Sequence, residues 1–335
     1  MKRDPLDSIA TETVGRRLGR ANVDRAVRQL GNRVSKTPVV RSDKLDSLAG
    51  ARLWMKAENL QRGGSFKIRG ALLAVDRLAA LGSCGIVAQS TGNHAIAVAL
   101  ASFEHGLPTI VVLPCDAAPT KVGQIRRAGA EVVFAGTSLA ERLAVVEELR
   151  QLHGYDVIDP YESTDVVVGQ GTATAELISQ VAAEGGRLNS VVVPVGGGSA
   201  IAGACLAASG LDLTVVGAEP EAVPAFSAAL HAQGPVTVPA RHTIADGLRP
   251  DRIGHLPFDL CHQVVAGVVK VQEAAIADAL RAALLYSRLL IEPAAATALA
   301  AALQYSGATG TDVGVLLSGG NIEPSILTSL LTGEL

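Results

Sequence analysis

Aromatic residues are scarce in this chain, at 3% of 335 residues with a single tryptophan. A core with so few rings must be built from Ala, Val, Leu and Ile, and apolar residues accordingly reach 48%. Charge is sparse too, at 18%, below the usual quarter of a soluble chain. High hydrophobicity with little charge excludes intrinsic disorder. Basic and acidic side chains number 29 and 32, a net charge of −3, so there is no basic excess of the kind a nucleic-acid surface needs. Cys84, Cys115, Cys205 and Cys261 form no C-x-x-C spacing, which excludes a zinc ribbon or a thioredoxin-like pair. Scattered thiols in so long a chain point to a reducing, cytoplasmic setting. The stretch Met1 to Arg20 mixes arginines with Asp4, Asp7 and Glu12 and has no continuous apolar run, so it does not read as a secretory leader. The longest uncharged run, Leu188 to Leu211, is broken by Pro194 and by Gly196-Gly197-Gly198-Ser199. It reads as strand, turn and helix start, not as a membrane span. The 35 glycines have no collagen period, and the phosphate-loop, zinc-helix and nucleophile-elbow patterns are all missing.

At roughly 100–200 residues per domain, the length suggests two domains. Short β-branched runs alternate with Ala/Leu-rich stretches. Strands are expected at Ile86–Ala88, Thr109–Leu113, Glu131–Phe134, Val191–Val195, Thr214–Gly217, Gln263–Val265 and Val313–Leu317, with a further one at Arg52–Lys56. Helices are expected at Ala95–His105, Pro119–Ala128, Ser138–His153, Gln170–Glu184, Ser199–Ser209, Glu273–Leu290 and Ala294–Tyr305. This alternation implies βαβ units and a mainly parallel sheet in an α/β fold.

Ligands of open α/β sheets bind at the carboxyl ends of strands, so the turns there carry the information. Four stand out: Gly63-Gly64-Ser65-Phe66-Lys67, Ser90-Thr91-Gly92-Asn93-His94, Gly196-Gly197-Gly198-Ser199 and Ser318-Gly319-Gly320-Asn321. The triple glycine can cradle a phosphate on backbone N–H groups at a helix start, or it can be an ordinary tight turn. A dinucleotide site would place a glycine where Ile201 stands. Lys67 is either a solvated surface lysine or, if buried, an amine of lowered pKa suited to Schiff-base chemistry.

Taken together, these turns are more specific than any one alone. The run Glu58-Asn59-Leu60-Gln61-Arg62-Gly63-Gly64-Ser65-Phe66-Lys67-Ile68-Arg69-Gly70-Ala71 resembles the lysine motif of the threonine dehydratase and serine racemase family. These are pyridoxal 5'-phosphate enzymes of fold type II. The other three turns, Thr243-Ile244-Ala245-Asp246-Gly247-Leu248 and Leu290-Ile291-Glu292-Pro293 match as well and stand in the family's order. The resemblance implies two open α/β domains, the smaller inserted in the larger: residues 86–162 within 1–85 and 163–335. It implies that Lys67 holds the cofactor covalently and that Gly196, Gly197, Gly198, Ser199 and Ala200 bind its phosphate. Asn93 would bond the ring hydroxyl, Phe66 would pack near the ring, and Ser318 would face the pyridine nitrogen. Ser90, Thr91, Gly92, Asn93 and His94 would bind the substrate carboxylate, and Glu292 would either lie close to the cofactor or serve as a structural hydrogen-bond acceptor.

Some positions depart from the family pattern. Ser199 replaces a fourth glycine of the phosphate turn, and its hydroxyl can itself donate to phosphate. Thr91 stands where family racemases carry serine and dehydratases often carry alanine. Glu219 matches the first ligand of a divalent-cation site, but the acidic residue six positions later is Ala225 here; a weaker or monovalent cation site and a plain solvated glutamate are the alternatives. The resulting expectation is a dehydratase releasing a 2-oxo acid and ammonia from a 3-hydroxy-L-amino acid such as threonine or serine. Hydroxyaspartate or phenylserine as substrate, a serine-type racemase, a nicotinamide dehydrogenase and a non-catalytic ligand-binding module are the alternatives. Partners are expected to be an amino-acid substrate and further copies of the chain in a homodimer or larger homo-oligomer, with neither nucleic acid nor membrane.

Overall fold

Residues 18–90, 92–117, 119–136, 139–239, 241–305 and 311–335 are described by a computed structural model. Its strands are β1 (Val39–Val40), β2 (Arg52–Ala57), β3 (Ile86–Gln89), β4 (Thr109–Leu113), β5 (Glu131–Phe134), β6 (Asp156–Val157), β7 (Ser190–Pro194), β8 (Thr214–Pro220), β9 (Gly267–Val271) and β10 (Asp312–Leu317). The helices are α1 (Arg20–Leu30), α2 (Asp43–Ala49), α3 (Lys67–Ala80), α4 (Asn93–Glu104), α5 (Pro119–Arg127), α6 (Leu139–His153), α7 (Thr164–Ala183), α8 (Ser199–Ala208), α9 (Ala225–Ala232), α10 (His255–Cys261), α11 (Glu273–Ala282), α12 (Pro293–Tyr305) and α13 (Pro324–Thr332).

The strands form two sheets. One has six strands in the order β1-β2-β10-β7-β8-β9, parallel throughout except for β1 at its edge. The other has four parallel strands in the order β5-β4-β3-β6, all drawn from residues 86–157. Central strands such as Val191-Val192-Val193 are buried along their whole length, as parallel strands covered by helices on both faces must be. The α/β expectation therefore holds. Among the described residues no helix is long and apolar enough to cross a membrane.

Helix α7 packs unusually close to its neighbours. A Cβ on Gly169 would lie 2.5 Å from Gly70 Cα of α3, and one on Gly203 of α8 would lie 2.5 Å from Gly171 N. Paired glycines thus let α3, α7 and α8 meet backbone to backbone and bring the starts of α3 and α8 together. Four charges are sequestered beside α3. The Arg69 guanidinium donates to both Glu58 oxygens at 2.8 Å and also pairs with Glu176. Fully buried Lys56 donates to the Thr37 carbonyl at 2.6 Å and to Gln180 Oε1 at 2.7 Å. Burial opposes the charge on Glu58, but Arg69, Thr37 and Lys56 together hold its carboxyl below the usual carboxylate range.

Several boundaries differ from the sequence expectation. No strand forms at Gln263–Val265, because Val264 and Val265 N–H groups donate to the Cys261 carbonyl and close α10. The strand begins instead at Gly267, opposite Val216. Helix α7 starts at Thr164, six residues before the expected Gln170, with Ser163 Oγ accepting from Val166 N. The expected Glu273–Leu290 helix ends in α form at Ala282, continues as a π turn over Ala283–Ser287, and stops at Arg288, which is left-handed (φ 58). Short β1 and β6 carry no periodic signal and were not expected.

Removing Arg69 leaves buried Glu58 without its guanidinium partner, with only Thr37 and the more distant Lys56 to support its charge. Arg69→Ala is expected to lose about 3–5 kcal/mol of stability, read as a lower urea midpoint with an unchanged slope. A loss below about 1 kcal/mol, the range of an exposed pair, would contradict this account.

Candidate active site

The lysine turn is pinned by backbone contacts to the turn after β10. Ser65 bridges Gly319, Phe66 N donates to the Ser318 carbonyl at 3.0 Å, and Gly320 N donates to the Gly64 carbonyl at 2.9 Å. Gly64 is left-handed (φ 77), and a Cβ there would lie 2.4 Å from Asn321 Oδ1, so only glycine fits. Phe66 caps α3, and Lys67 opens it. The Lys67 amine reaches across to α8, donating to Ser199 Oγ at 3.2 Å. It also lies 3.5 Å from the Pro160 carbonyl and 5.2 Å from the centre of the Phe66 ring. Burial lowers its pKa to about 8, against the opposing pull of Asp159 and Glu292. Lys67 is thus not the solvated surface lysine that its local sequence allowed.

The triple glycine links β7 to α8. Gly198 is left-handed (φ 99), and a Cβ on Gly197 would lie 2.1 Å from the Tyr161 ring. The first N–H groups of α8 have no intrahelical partner and carry the positive end of the helix dipole. With the Ser199 hydroxyl beside them they form a ready anion cradle.

Asn93 opens α4. Its Nδ2 donates to Glu292 Oε1 and Oε2 at 2.9 and 3.0 Å, and its Oδ1 accepts from Asn321 Nδ2 at 2.7 Å. Asn321 Nδ2 also donates to the Gly63 carbonyl at 2.8 Å. Burial raises the Glu292 pKa to about 7; the Asn93 bond works against this and Asp246 reinforces it. His94 is buried, with Nε2 at 3.0 Å from the Ile158 carbonyl. Burial, and then the nearby Lys67, lower its pKa to about 3, so it stays neutral. Ser90 Oγ accepts from Gly92 N at 3.3 Å. Thr91 lies outside the described residues. Ala200 and Ser318 are both buried.

The structure therefore brings Lys67, Phe66, Asn93, the Gly196–Ala200 turn and Ser318 into one region. Glu219 is buried, not the solvated glutamate of the sequence alternative, and its oxygens accept from Phe226 N at 2.8 Å and Ser227 N at 3.1 Å, at the start of α9. Among the described residues no group of three or more His, Cys, Asp or Glu could hold a metal ion. Sequence reasoning missed the segment after β6. Asp159 Oδ1 accepts from the N–H groups of Tyr161 and Glu162 at 2.8 and 2.7 Å. The Pro160 carbonyl meets Lys67, and the Tyr161 ring backs Gly197. Nothing local in Asp159-Pro160-Tyr161 marks it as part of a site.

Residues 31–319 match the protein family described as pyridoxal-phosphate dependent enzyme. The chain belongs to this family. It is 33% identical over 305 residues to a serine racemase of Oryza sativa subsp. indica, covering 88% of each chain. It is 34% identical over 316 residues to an L-threo-3-hydroxyaspartate ammonia-lyase of Pseudomonas sp, covering 93% of this chain and 98% of that one. The solved threonine deaminase of T.th. superposes with a TM-score of 0.86 at 37% identity, over 90% of this chain and 98% of the other. The architecture is that of fold type II, and the cofactor is pyridoxal 5'-phosphate. The donor set fits that molecule: a partly buried amine of lowered pKa for its aldehyde, and for its phosphate helix-start N–H groups with a serine hydroxyl. Glycines at 196–198 add no side chains of their own to the cradle.

Because only the neutral amine attacks an aldehyde, capture by apo-protein at Lys67 should rise with pH through about 8 and then level off. Borohydride trapping followed by peptide mass mapping reads this at Lys67 alone. A rise deferred to about 10.4, the value of a free lysine, would show that the amine is solvated.

Proposed function

We propose that this enzyme is an ammonia-lyase that dehydrates and deaminates a 3-hydroxy-L-amino acid, with threonine and serine the leading substrates. The observation that carries this reading is the Lys67 amine, its pKa lowered by burial, set 3.2 Å from Ser199 at the mouth of the glycine turn. When bound, pyridoxal phosphate supplies an electron sink for charge developing at the substrate Cα. In our assignment the turn Gly196–Ala200 would hold the phosphate and the Asn93 amide would meet the ring oxygen. Phe66 would pack near the ring. Ser318 would offer the ring nitrogen a neutral partner that does not require it to be protonated. Ser90–His94 bind the substrate carboxylate through hydroxyl, amide and N–H groups. Lys67 would anchor the cofactor and, with its amine free, would accept the Cα proton; the β-hydroxyl would leave with a proton as water, and hydrolysis of the released enamine, consuming one water, would give the 2-oxo acid and ammonia.

Relatives named serine racemase support racemisation as a second reading. Thr91 weighs against it, since threonine is bulkier and stiffer at χ1 than the serine of family racemases. Residues 86–162 are proposed as a small domain that closes over the substrate. Polar contacts from its helix α5 to the rest of the chain mark where such a domain would meet the larger one: Thr120 Oγ1 donates to Glu323 at 2.7 Å, and Lys121 pairs with Asp246. A cytoplasmic homodimer or larger homo-oligomer completes the proposal.

Screening 3-hydroxy-L-amino acids should show release of 2-oxo acid, while chiral analysis shows the remaining substrate still in the L form. Inversion without 2-oxo acid would favour the racemase. Lys67→Ala should abolish both turnover and the borohydride-trapped cofactor; a retained adduct would displace Lys67 from its role. Since Glu219 already has both oxygens on N–H groups of α9, activity should survive chelation. A loss restored by Mg²⁺ would show that a cation supports activity and would reopen Glu219 as a ligand.

A further inference from the structure

The orientation of the Asn93 amide is determined from outside itself. The Gly63 carbonyl can only accept, so Asn321 must present Nδ2 to it. The same Nδ2 meets Asn93 at 2.7 Å, so Asn93 must present its oxygen there. Its nitrogen then faces Glu292, whose backbone is tied by Glu292 N to the Gly319 carbonyl at 2.9 Å. A Cβ on Gly319 would lie 2.4 Å from Glu292 Oε1, so only glycine at 319 leaves space for the carboxyl where it sits. The two Glu292 oxygens, at 2.9 and 3.0 Å, lie on the same side of the Asn93 nitrogen and share one N–H, while the second N–H of the planar amide diverges from them.

We propose that Glu292 and Asn321 are positioning residues that hold the Asn93 amide with its remaining N–H available to the cofactor's ring oxygen, and that the charge on Glu292 sets how strongly this N–H donates. The proposal rests on the assignment of Asn93 to that oxygen. The electrostatic sign is definite. An ionised Glu292 draws on the amide nitrogen, weakens its second N–H as a donor, and adds negative potential behind it. Both effects oppose ionisation of the ring oxygen, and protonation of Glu292 relieves both. The groups facing Glu292 are Asn93 from α4, Asp246 from the turn before α10, Lys121 from α5 and Lys67 from α3. Lys121 is itself paired with Asp246, so their influences partly cancel. Burial raises the Glu292 pKa to about 7, which puts the change of state near neutrality.

The test is the absorption of the purified holoenzyme titrated from about pH 6 to 9. In the parent protein the cofactor band should change with a midpoint near neutrality. In Glu292→Gln the band should persist, but the midpoint should disappear or move by about one pH unit or more. Asn321→Ser, which removes the donor to Asn93 Oδ1, should alter the band in the same way as Asn93→Ser. Thermal melts of each holoenzyme provide the check on folding. A titration unchanged in Glu292→Gln or a band unchanged in Asn321→Ser, alongside a clear change in Asn93→Ser, would overturn the proposal and leave the assignment of Asn93 standing. If Asn93→Ser also leaves the spectrum unchanged, the assignment itself fails and the proposal with it.

Discussion

One side-chain amide ties the site together. Asn93 has a nitrogen that must donate and an oxygen that must accept, and a partly buried amide left without partners would cost free energy. Its nitrogen is met by Glu292 and its oxygen by Asn321, which also reaches the backbone just ahead of Lys67. Four turns from distant parts of the chain are held in register by these few bonds. The arrangement tolerates little change of shape, because the glycines facing Asn321 and Glu292 have no room for a Cβ.

Behind this cluster the packing sets the geometry. Backbone-to-backbone contact of α3, α7 and α8 at Gly70, Gly169, Gly171 and Gly203 places the start of α3 beside the start of α8. Lys67 therefore reaches Ser199 across 132 residues of sequence. The same burial removes water from the amine and depresses its pKa. The aliphatic, ring-poor core suits this close fit, since small side chains let helices approach each other. Phe66 and Tyr161 are the rings that the structure sets against the lysine and the glycine turn.

Much of the fold was legible. Parallel α/β layering followed from continuous β-branched runs separated by helical stretches, because buried strands need apolar residues on both faces. The error at β9 has a local cause: Val264 and Val265 are apolar and β-branched, but their N–H groups close a helix end. Helix α7 starts ahead of the expected Gln170 with Val166–Val168, β-branched residues of low helix propensity that are nevertheless buried in the helix. In the site, Lys67, Asn93, the triple glycine and Ser318 were readable because each belongs to a short turn whose residue types state their own chemistry. Asp159 and Tyr161 were not, since their part in the site consists only of contacts.

The chain by itself determined which turns exist, in what order they come, and what donors, acceptors and glycines each one offers, because those properties depend on a few neighbouring residues. The tertiary structure alone decided that the Asn93 nitrogen faces Glu292, 199 residues away. It alone decided that Lys67 is desolvated, that Glu292 titrates near neutrality, and that Glu219 caps a helix. Orientation and protonation depend on what surrounds a group in space, and those surroundings come into being only when separate helices and sheets pack together.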